Sequence, residues 1–212
     1  MSQRNKAYQI TKNDQLSVLA SPVRQEILDA LTAMGPSSAA ELGSRLGRAP
    51  DSLYHHLRLL VRSDLVVEHG RRRTTYRTEV IYAPVRLARR FTANVDTGSP
   101  ASLKNWQRGV ATCLRLGIAD FRRALLQRPI VTKGAARNLW CGRIKAYLSK
   151  KQLARVNALA DELFDMLSRA TPVAGDQLYA VTCLIVPARR TDRTRSHSNT
   201  RSRRSSSAAR RD

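Results

Sequence analysis

Two of the four histidines in this 212-residue chain are adjacent, His55 and His56, within the stretch DSLYHHLRLL. Neighbouring imidazoles could form a metal site, an acid/base pair, or part of a surface that contacts another molecule. Adjacent positions on a helix do not face each other, so the two rings are not expected to act as a pair. A two-histidine metal face needs a spacing of three or four. No carboxylate partner is indicated nearby, so the contact surface is favoured.

The doublet lies in a segment, Pro50–Ser63, with the spacing of an amphipathic helix. At ~100° per residue, Leu53, Leu57 and Leu60 fall on one side and are expected to be buried. His56 falls on the flank of this stripe. The doublet is therefore divided between two faces of one helix.

The outward side of this helix carries groups suited to nucleic acid. Its arginines and imidazole can donate to phosphates and to guanine, and its carboxylate can accept from the amino groups of cytosine or adenine. A solvated helix face is the plain alternative, and the neighbouring elements favour the binding role. The candidate positions are Asp51, Ser52, Tyr54, His55, Arg58 and Arg62.

Short helices with clear start and stop signals precede this segment. The first covers 13–20, and the second runs from Pro22, after Ser21, to about Ala33 and is ended by Gly35-Pro36. A third is brief and begins with the capping box Ser38–Glu41. A short helix and a turn would brace the helix from Pro50 as a reader of the major groove, as in a helix-turn-helix.

A β-hairpin is predicted directly after the helix. Two β-type runs, 66–68 and 75–78, flank a basic segment with a glycine, 69–74. The tip of this loop would lie beside the helix, where arginines suit phosphates or a narrow minor groove with strong negative potential. The candidates at this tip are Arg71, Arg72 and Arg73.

A second unit is predicted after a boundary at Asp96–Pro100. It begins with a long amphipathic helix, Ala101–Gln127. Leu139–Leu148 and Leu178–Val186 are predicted strands, the latter buried in a sheet, and a helix capped at Ser149 separates them. The inward stripe of the long helix is predicted to be Leu103, Trp106, Val110, Leu114, Gly117, Phe121 and Leu125. Three aromatic residues are interpreted as core: Trp106, Phe121 and Trp140.

Cys113, Cys141 and Cys183 are far apart and form no C-x-x-C pattern. The sequence therefore predicts neither a disulfide framework nor a structural zinc site. Free cysteines are usually buried, so reduced and mostly buried thiols are expected.

The formal charge of +22, from 38 Lys/Arg and 16 Asp/Glu, points to a polyanionic partner. Nucleic acid is the first candidate and an anionic membrane surface the second. The first fifteen residues have no signal-peptide core, and no run approaches the ~18 apolar residues of a membrane span. A soluble, cytoplasmic and nucleoid-associated protein without membrane contact is expected.

Three segments resemble the arsenic-repressor-like (ArsR-type) winged helix-turn-helix regulators. LGRAPDSLYHHLRLLVRSDLV (46–66) is similar to the family's helix-turn-helix core. LASPVRQEILDAL (19–31) and VVEHGRRRTTYR (66–77) resemble its leading helix and its wing. The resemblance spans roughly 13–90. It implies a transcriptional regulator that binds double-stranded DNA as a homodimer, with the helix from Pro50 as the recognition helix.

The chain departs from this family's pattern at three places. Metal-sensing members carry a C-x-C where this chain has AAELGSRL (39–46), so neither a metal site nor a cofactor is expected. Asp64 replaces the usual glycine and tolerates a left-handed conformation better than most residues. Ala49 replaces a Ser or Thr cap, a loss of ~1 kcal/mol that Pro50 partly offsets.

The second unit resembles, more faintly, the C-terminal extensions of some of these regulators. That likeness implies dimerisation, or binding of an unknown small-molecule effector, in this unit. The helices at 13–20 and 101–127 are expected to carry the contact between the two copies.

The sequence thus predicts a mainly α fold with a small β component (α+β). A winged helix-turn-helix DNA-binding domain at 13–92 precedes a helix plus strand-helix-strand domain at 100–187 and a disordered Arg/Ser-rich tail at 188–212. The predicted function is a sequence-specific transcriptional regulator. An architectural or non-specific nucleic-acid-binding protein is the alternative. The charge favours it, and the outward Asp51 opposes it. No catalytic constellation is present, so an enzyme is not expected.

Overall fold

A computed structural model of the chain describes residues 12–85, 98–126, 129–170 and 172–188. The tail predicted to be disordered lies outside the described residues beyond Ala188. The elements, in chain order, are α1 (Asn13–Leu19), α2 (Pro22–Met34), β1 (Ser37–Ser38), α3 (Ala39–Leu46), α4 (Pro50–Arg62), β2 (Val66–Arg73), β3 (Thr78–Pro84), α5 (Pro100–Ala124) and α6 (Lys150–Arg169).

The helices begin where the local signals predict. Pro22 and Pro50 occupy the first turns of α2 and α4, where a missing N–H leaves no acceptor unpaired. At the start of α3, Ser38 Oγ accepts from the Glu41 N–H at 3.3 Å, and Glu41 Oε2 accepts from the Ser38 N–H at 2.8 Å. A second capping box begins α6 at Ser149. These predictions are confirmed.

The apolar faces of α1 to α4 and the adjoining strands meet in one core. Leu53, Leu57 and Leu60 of α4 are completely buried, as their spacing predicts. Burial of a leucine side chain is worth about 1.5–3 kcal/mol, so this stripe fixes the rotation of α4 about its axis. The buried core consists of Leu16, Leu19, Ile27, Ala30, Leu31, Ala39, Leu42, Leu53, Leu57, Leu60, Leu65, Val66 and Tyr82.

A three-stranded antiparallel sheet, in the order β1-β3-β2, adjoins the core. Strands β2 and β3 pair from Val66↔Pro84 to Arg73↔Thr78. The hairpin is therefore confirmed, but the bounds predicted for it are wrong, because 69–73 is strand rather than loop and the connection is 74–77. Glycine and arginine carry little β preference of their own, and pairing with β3 decides the extent of β2.

Helix α5 packs on α1 and α2 through small and polar residues. Gly109 O accepts from Gln25 Nε2 at 3.1 Å, and Thr112 Oγ1 donates to Ala20 O at 3.0 Å. Gly109, Thr112 and Ser102 are buried residues of α5. Their small side chains let the helices approach closely enough for hydrogen bonds to backbone carbonyls. The predicted inward stripe of α5 is half-buried in its middle, from Trp106 to Gly117, and exposed at both ends, so the prediction is wrong at Leu103, Phe121 and Leu125.

The three aromatic residues interpreted as core differ in how far they are buried. Trp106 is partly buried and packs against the core cluster, whereas Phe121 on α5 is exposed. Trp140 is 72% exposed, so the core interpretation is wrong for both of these residues in the single chain.

The described chain after α5 forms one helix, α6, and long segments without regular secondary structure. Neither Leu139–Leu148 nor Leu178–Val186 is a strand here, since neither pairs with another described segment. Arg143–Ala146 and the segment from Cys183 form a separate compact unit. Helix α6 has no buried residue among its apolar positions. The strand predictions are therefore wrong for the described chain, because neither segment forms the ladder of backbone hydrogen bonds that a strand needs.

The cysteines are free, in agreement with the prediction that the sequence contains no disulfide framework. Their predicted burial is wrong for two of the three, since Cys113 is half-buried while Cys141 and Cys183 are exposed. None of the described helices is both long and apolar enough to cross a membrane.

Candidate nucleic-acid interface

The connection between α3 and α4 is built around two glycines. A Cβ at Gly43 would lie 2.7 Å from Arg48 O and 3.3 Å from Pro50 Cγ, so only glycine permits this approach. Gly43 O also accepts from the Arg48 N–H at 2.9 Å. Gly47 ends α3 in the left-handed conformation, with φ of 63°. The turn thus holds the start of α4 tightly against α3.

Helix α4 presents the predicted residues to solvent. Asp51, Ser52, Tyr54 and His55 are exposed along its first half. Ser52 Oγ donates to Ala49 O at 2.7 Å, so this hydroxyl keeps its oxygen available as an acceptor. The exposed arginines of α4 continue the same face towards its end; they are Arg58 and Arg62. All six sequence-predicted residues of α4 therefore lie outside the core.

The two histidines have the different surroundings that the helical spacing predicts. His55 is exposed and His56 is half-buried, and their rings meet edge to face with centroids 5.6 Å apart. Burial lowers the pKa of His56, and the cationic groups of Arg24, His55 and Arg48 lower it further. Within the described residues, its buried Nδ1 has no hydrogen-bond partner. The surroundings of His56 thus favour its neutral form, and its ring packs on the flank of the leucine stripe.

The end of α4 confirms the expectation for the position after the helix. Asp64 adopts the left-handed conformation, with φ of 57°. Its carboxylate accepts from Lys12 Nζ at 2.9 Å, which ties this turn to the residue that precedes α1. At the other end, Ala49 provides no side-chain cap, also as expected.

The three arginines of β2 do not share one direction. Arg72 Nη2 lies 2.7 Å from Glu41 Oε1 of α3 and 3.7 Å from Glu79 Oε2 of β3. Arg71 and Arg73 alternate with Arg72 along the strand and so point to the opposite face. Both are exposed, and no ion pair joins either to another residue in the described ranges. The prediction that all three lie at the loop tip is wrong.

The ion pairs of Arg72 and Arg77 with Glu79 link the two strands near the tip of the hairpin, and the pair of Arg72 with Glu41 attaches the hairpin to α3. Hydrogen bonds from Ser38, then from Arg72, lower the pKa of Glu41. Hydrogen bonds from Ser38 and Arg77 similarly lower the pKa of Glu79. Solvent-exposed pairs of this kind add at most about 1 kcal/mol each. Their main effect is to direct the guanidinium of Arg72 away from the surface that Arg71 and Arg73 share.

The outward face of α4 and the base of the hairpin are electrostatically close. Burial raises the pKa of Tyr82, a core residue of β3, and electrostatic interactions with Glu68 of β2 and Tyr54 of α4 raise it further. The charge of Arg58 has the opposite effect on the same hydroxyl. Tyr54 and Arg58 of α4 therefore lie near Glu68 of β2 and Tyr82 of β3, so the outward face of α4 adjoins the base of the hairpin.

Sequence reasoning missed two features of this surface. Tyr76, in the hairpin connection, is 95% exposed, which places an aromatic ring at the tip where arginines were predicted. Gly43 permits the close turn, and a glycine inside a short helix was the available signal for it. Nothing in the sequence alone marked Tyr76, because its position depends on where the strands end. No group of His, Cys, Asp or Glu in the described part could hold a metal ion.

Comparison with known proteins supports the central part of this description. A helix-turn-helix domain family model matches residues 19–69, which span α2, α3, α4 and the first half of β2. No curated protein matches the chain. The match supports DNA binding and a role in the regulation of transcription.

Proposed function

We propose that the chain is a sequence-specific transcriptional regulator of the ArsR-type winged-helix class, without enzymatic activity and without the metal-binding cysteines of that class. Helix α4 is the recognition helix, and the β2–β3 hairpin is the wing. The observation that carries the proposal is the division of α4 into a fully buried leucine stripe and an outward row of polar and charged residues.

The size and orientation of α4 suit the major groove. Its 13 residues correspond to a length of about 20 Å at ~1.5 Å per residue, and the groove is about 12 Å wide. Since Leu53, Leu57 and Leu60 fix the rotation of the helix, its first turns present Asp51, Tyr54 and Arg58 to the base edges. Arg58 is assigned to guanine, for which a bidentate arginine is the commonest partner.

Asp51 favours sequence-specific binding over a merely electrostatic role. A carboxylate that faces phosphates lowers affinity, unless it accepts from the amino group of a base. The architectural alternative is supported by the charge of +22. That charge would serve the proposed regulator as well, because phosphate contacts fix the position of the protein on the duplex while base contacts specify the sequence.

The wing contributes through Arg71 and Arg73, with Tyr76 at its tip. These side chains lie on the strand face that the ion pairs of Arg72 leave open, so they can reach the phosphates beside the groove that α4 occupies. Two copies on two half-sites about 34 Å apart would double these contacts.

A competition gel shift separates the two classes of nucleic-acid-binding protein. With DNA from upstream of its own coding sequence, the full chain is expected to form a discrete complex that survives an excess of unrelated DNA. Equal competition by unrelated DNA of the same length would reject the regulator in favour of the architectural protein.

Two neighbouring arginines of β2 are predicted to differ in their contribution to binding. Arg73→Ala should weaken binding to all sequences alike and reduce the slope of log K against log salt by about 1, the value for one lost phosphate contact. Arg72→Ala should leave that slope nearly unchanged, because its guanidinium is paired with Glu41 and Glu79. Salt titrations of DNA binding measure the two slopes. Equal slopes for Arg72→Ala and Arg73→Ala would contradict the assignment of a phosphate contact to Arg73 and not to Arg72.

A further inference from the structure

Four cationic side chains form a line along one exposed side of α5. Their spacing of four, seven and seven residues places them within about 80° of one another at ~100° per residue. The line extends over roughly 27 Å, at ~1.5 Å per residue. We call this feature the basic ridge; it consists of Lys104, Arg108, Arg115 and Arg122.

The basic ridge differs from an ordinary solvated helix face, on which cations and carboxylates are interspersed. On α6, four Lys or Arg are balanced by three Asp or Glu. Helix α5 contains one carboxylate, Asp120, which pairs with Arg123 at 3.3 Å on another side of the helix. Lys104 and Arg108 are four residues apart, a spacing at which like charges destabilise a helix. Helix α5 thus carries a concentrated charge that its own residues do not neutralise.

The remainder of the chain leaves the charge of the ridge available. Within the described residues, Lys104, Arg108 and Arg122 form no ion pair. Arg115 Nη2 donates to Thr112 Oγ1 at 2.9 Å, and a guanidinium has further N–H groups to donate. The segments outside the described residues contain 15 Lys or Arg, three Asp and no Glu. Their excess of positive charge would be repelled by the ridge.

Hydrogen bonds on another side of α5 fix the direction of the ridge. Gly109 O accepts from Gln25 of α2, and Thr112 Oγ1 donates to the carbonyl of Ala20. Helix α5 packs on α1 and α2, whereas α4 packs on α2, α3 and β2. The ridge is therefore a surface separate from the outward face of α4, and it is attached to the helix-turn-helix part of the molecule.

We propose that the basic ridge of α5 binds the sugar-phosphate backbone of DNA outside the site that α4 reads. Each DNA strand carries one phosphate per ~3.4 Å of axis, so a ridge of roughly 27 Å spans about eight phosphates on each strand. This role rests on the proposed function and extends it, because α4 specifies the sequence while the ridge adds affinity without regard to sequence.

The chemistry of the ridge favours DNA over the other partners of a basic helix face. On contact with the same face of a second copy, like cations would meet and repel each other. A helix that lies on an anionic membrane turns a broad apolar face to the lipid, whereas the ridge has only Ala111 and Ile118 between its cations. Phosphates neutralise all of the cations and release counterions, which favours binding.

Salt titrations with an unrelated duplex test the ridge without reference to sequence. One triple variant replaces the three ridge cations that have no intrahelical hydrogen bond: Lys104→Ala, Arg108→Ala and Arg122→Ala. The slope of log K against log salt should fall by about 3, since each lost phosphate contact removes ~0.9. The three side chains are exposed and alanine favours helix, so circular dichroism should show unchanged helicity.

The matched control removes three exposed cations from α6 instead: Lys150→Ala, Lys151→Ala and Arg155→Ala. Both triple variants lower the net charge of the chain by the same amount. The control should leave the salt slope almost unchanged, because cations of α6 are interspersed with carboxylates and form no ridge. Equal slopes for the two triple variants would overturn the proposal.

Acetylation of the unmodified chain gives an independent answer. With a saturating unrelated duplex, Lys104 should react severalfold more slowly with an N-hydroxysuccinimide ester than in the free protein, while Lys151 of α6 reacts at the same rate. Mass spectrometry of the peptides measures both rates. Equal reaction of Lys104 with and without duplex would overturn the proposal, as would protection by phosphatidylserine vesicles but not by DNA.

Failure of the ridge and failure of the proposed regulator give different results. A discrete complex in the competition gel shift, together with an unprotected Lys104, rejects the ridge alone. A protected Lys104, together with equal competition by unrelated DNA, rejects the sequence-specific regulator and retains the ridge.

Discussion

Replacement of Arg58 by alanine is expected to lower the affinity for the preferred DNA site by roughly ten- to a hundredfold, the usual effect of losing one bidentate base contact. Arg58 is exposed on the outward face of α4, and the buried leucines fix its direction. Affinity for unrelated DNA should fall much less, because the general charge attraction is spread over the whole molecule. Fluorescence anisotropy with a preferred-site duplex and an unrelated duplex measures the two affinities and their ratio.

Arg122→Ala is the matched control for this measurement. Arg122 is an exposed arginine on α5, so its replacement removes the same charge from a different helix. The control should reduce both affinities slightly and to the same extent. If Arg58→Ala and Arg122→Ala had the same effect on the ratio of the two affinities, Arg58 would not contact a base.

The largest effect on stability is expected for Leu57→Ala. Leu57 is completely buried at the centre of the α4 stripe, and removal of such a side chain costs about 2–5 kcal/mol through lost burial and the cavity left behind. Small domains are stable by about 5–15 kcal/mol, so the variant should lose a large part of its stability. Urea unfolding should show a lower midpoint with an unchanged slope.

Tyr54→Ala is the control for the leucine variant, because Tyr54 lies on the same helix one turn earlier and its side chain is exposed. Its unfolding free energy should change by less than about 1 kcal/mol, as is usual for exposed positions, while DNA binding weakens. Equal destabilisation by the two substitutions would contradict the assignment of one face to folding and the other to recognition.

Local sequence signals were sufficient to predict the helix-turn-helix part of the molecule. Proline at the start of α2 and α4, the capping box at Ser38 and the leucine spacing of α4 all act within a few residues. The side of α4 that faces solvent follows directly from that spacing. For this reason the outward residues of α4 were identified without the structure.

The wing could be predicted only in part, because strand length depends on a partner distant in sequence. Pairing with β3 extends β2 through Arg73, and the register then sets the alternate directions of Arg71 and Arg72. The ion pair between Arg72 and Glu41 links residues 31 positions apart, which no local pattern reveals.

The second half of the chain shows a further limit of sequence patterns. The apolar stripe of α5 was expected to face inward, yet buried Gly109 and Thr112 make the contact that hydrophobicity does not mark. The strand patterns of Leu139–Leu148 and Leu178–Val186 are present, but a pattern does not say whether the covering surface belongs to the same chain.

Selection of bound sequences from a random DNA pool tests the central claim most directly. The wild-type chain should enrich one motif in two related half-sites, and Arg58→Ala should lose the preference for one or two adjacent bases in each half while retaining the rest. Enrichment of no motif by the wild-type chain, or of the same motif by both proteins, would contradict recognition of DNA through the outward face of α4.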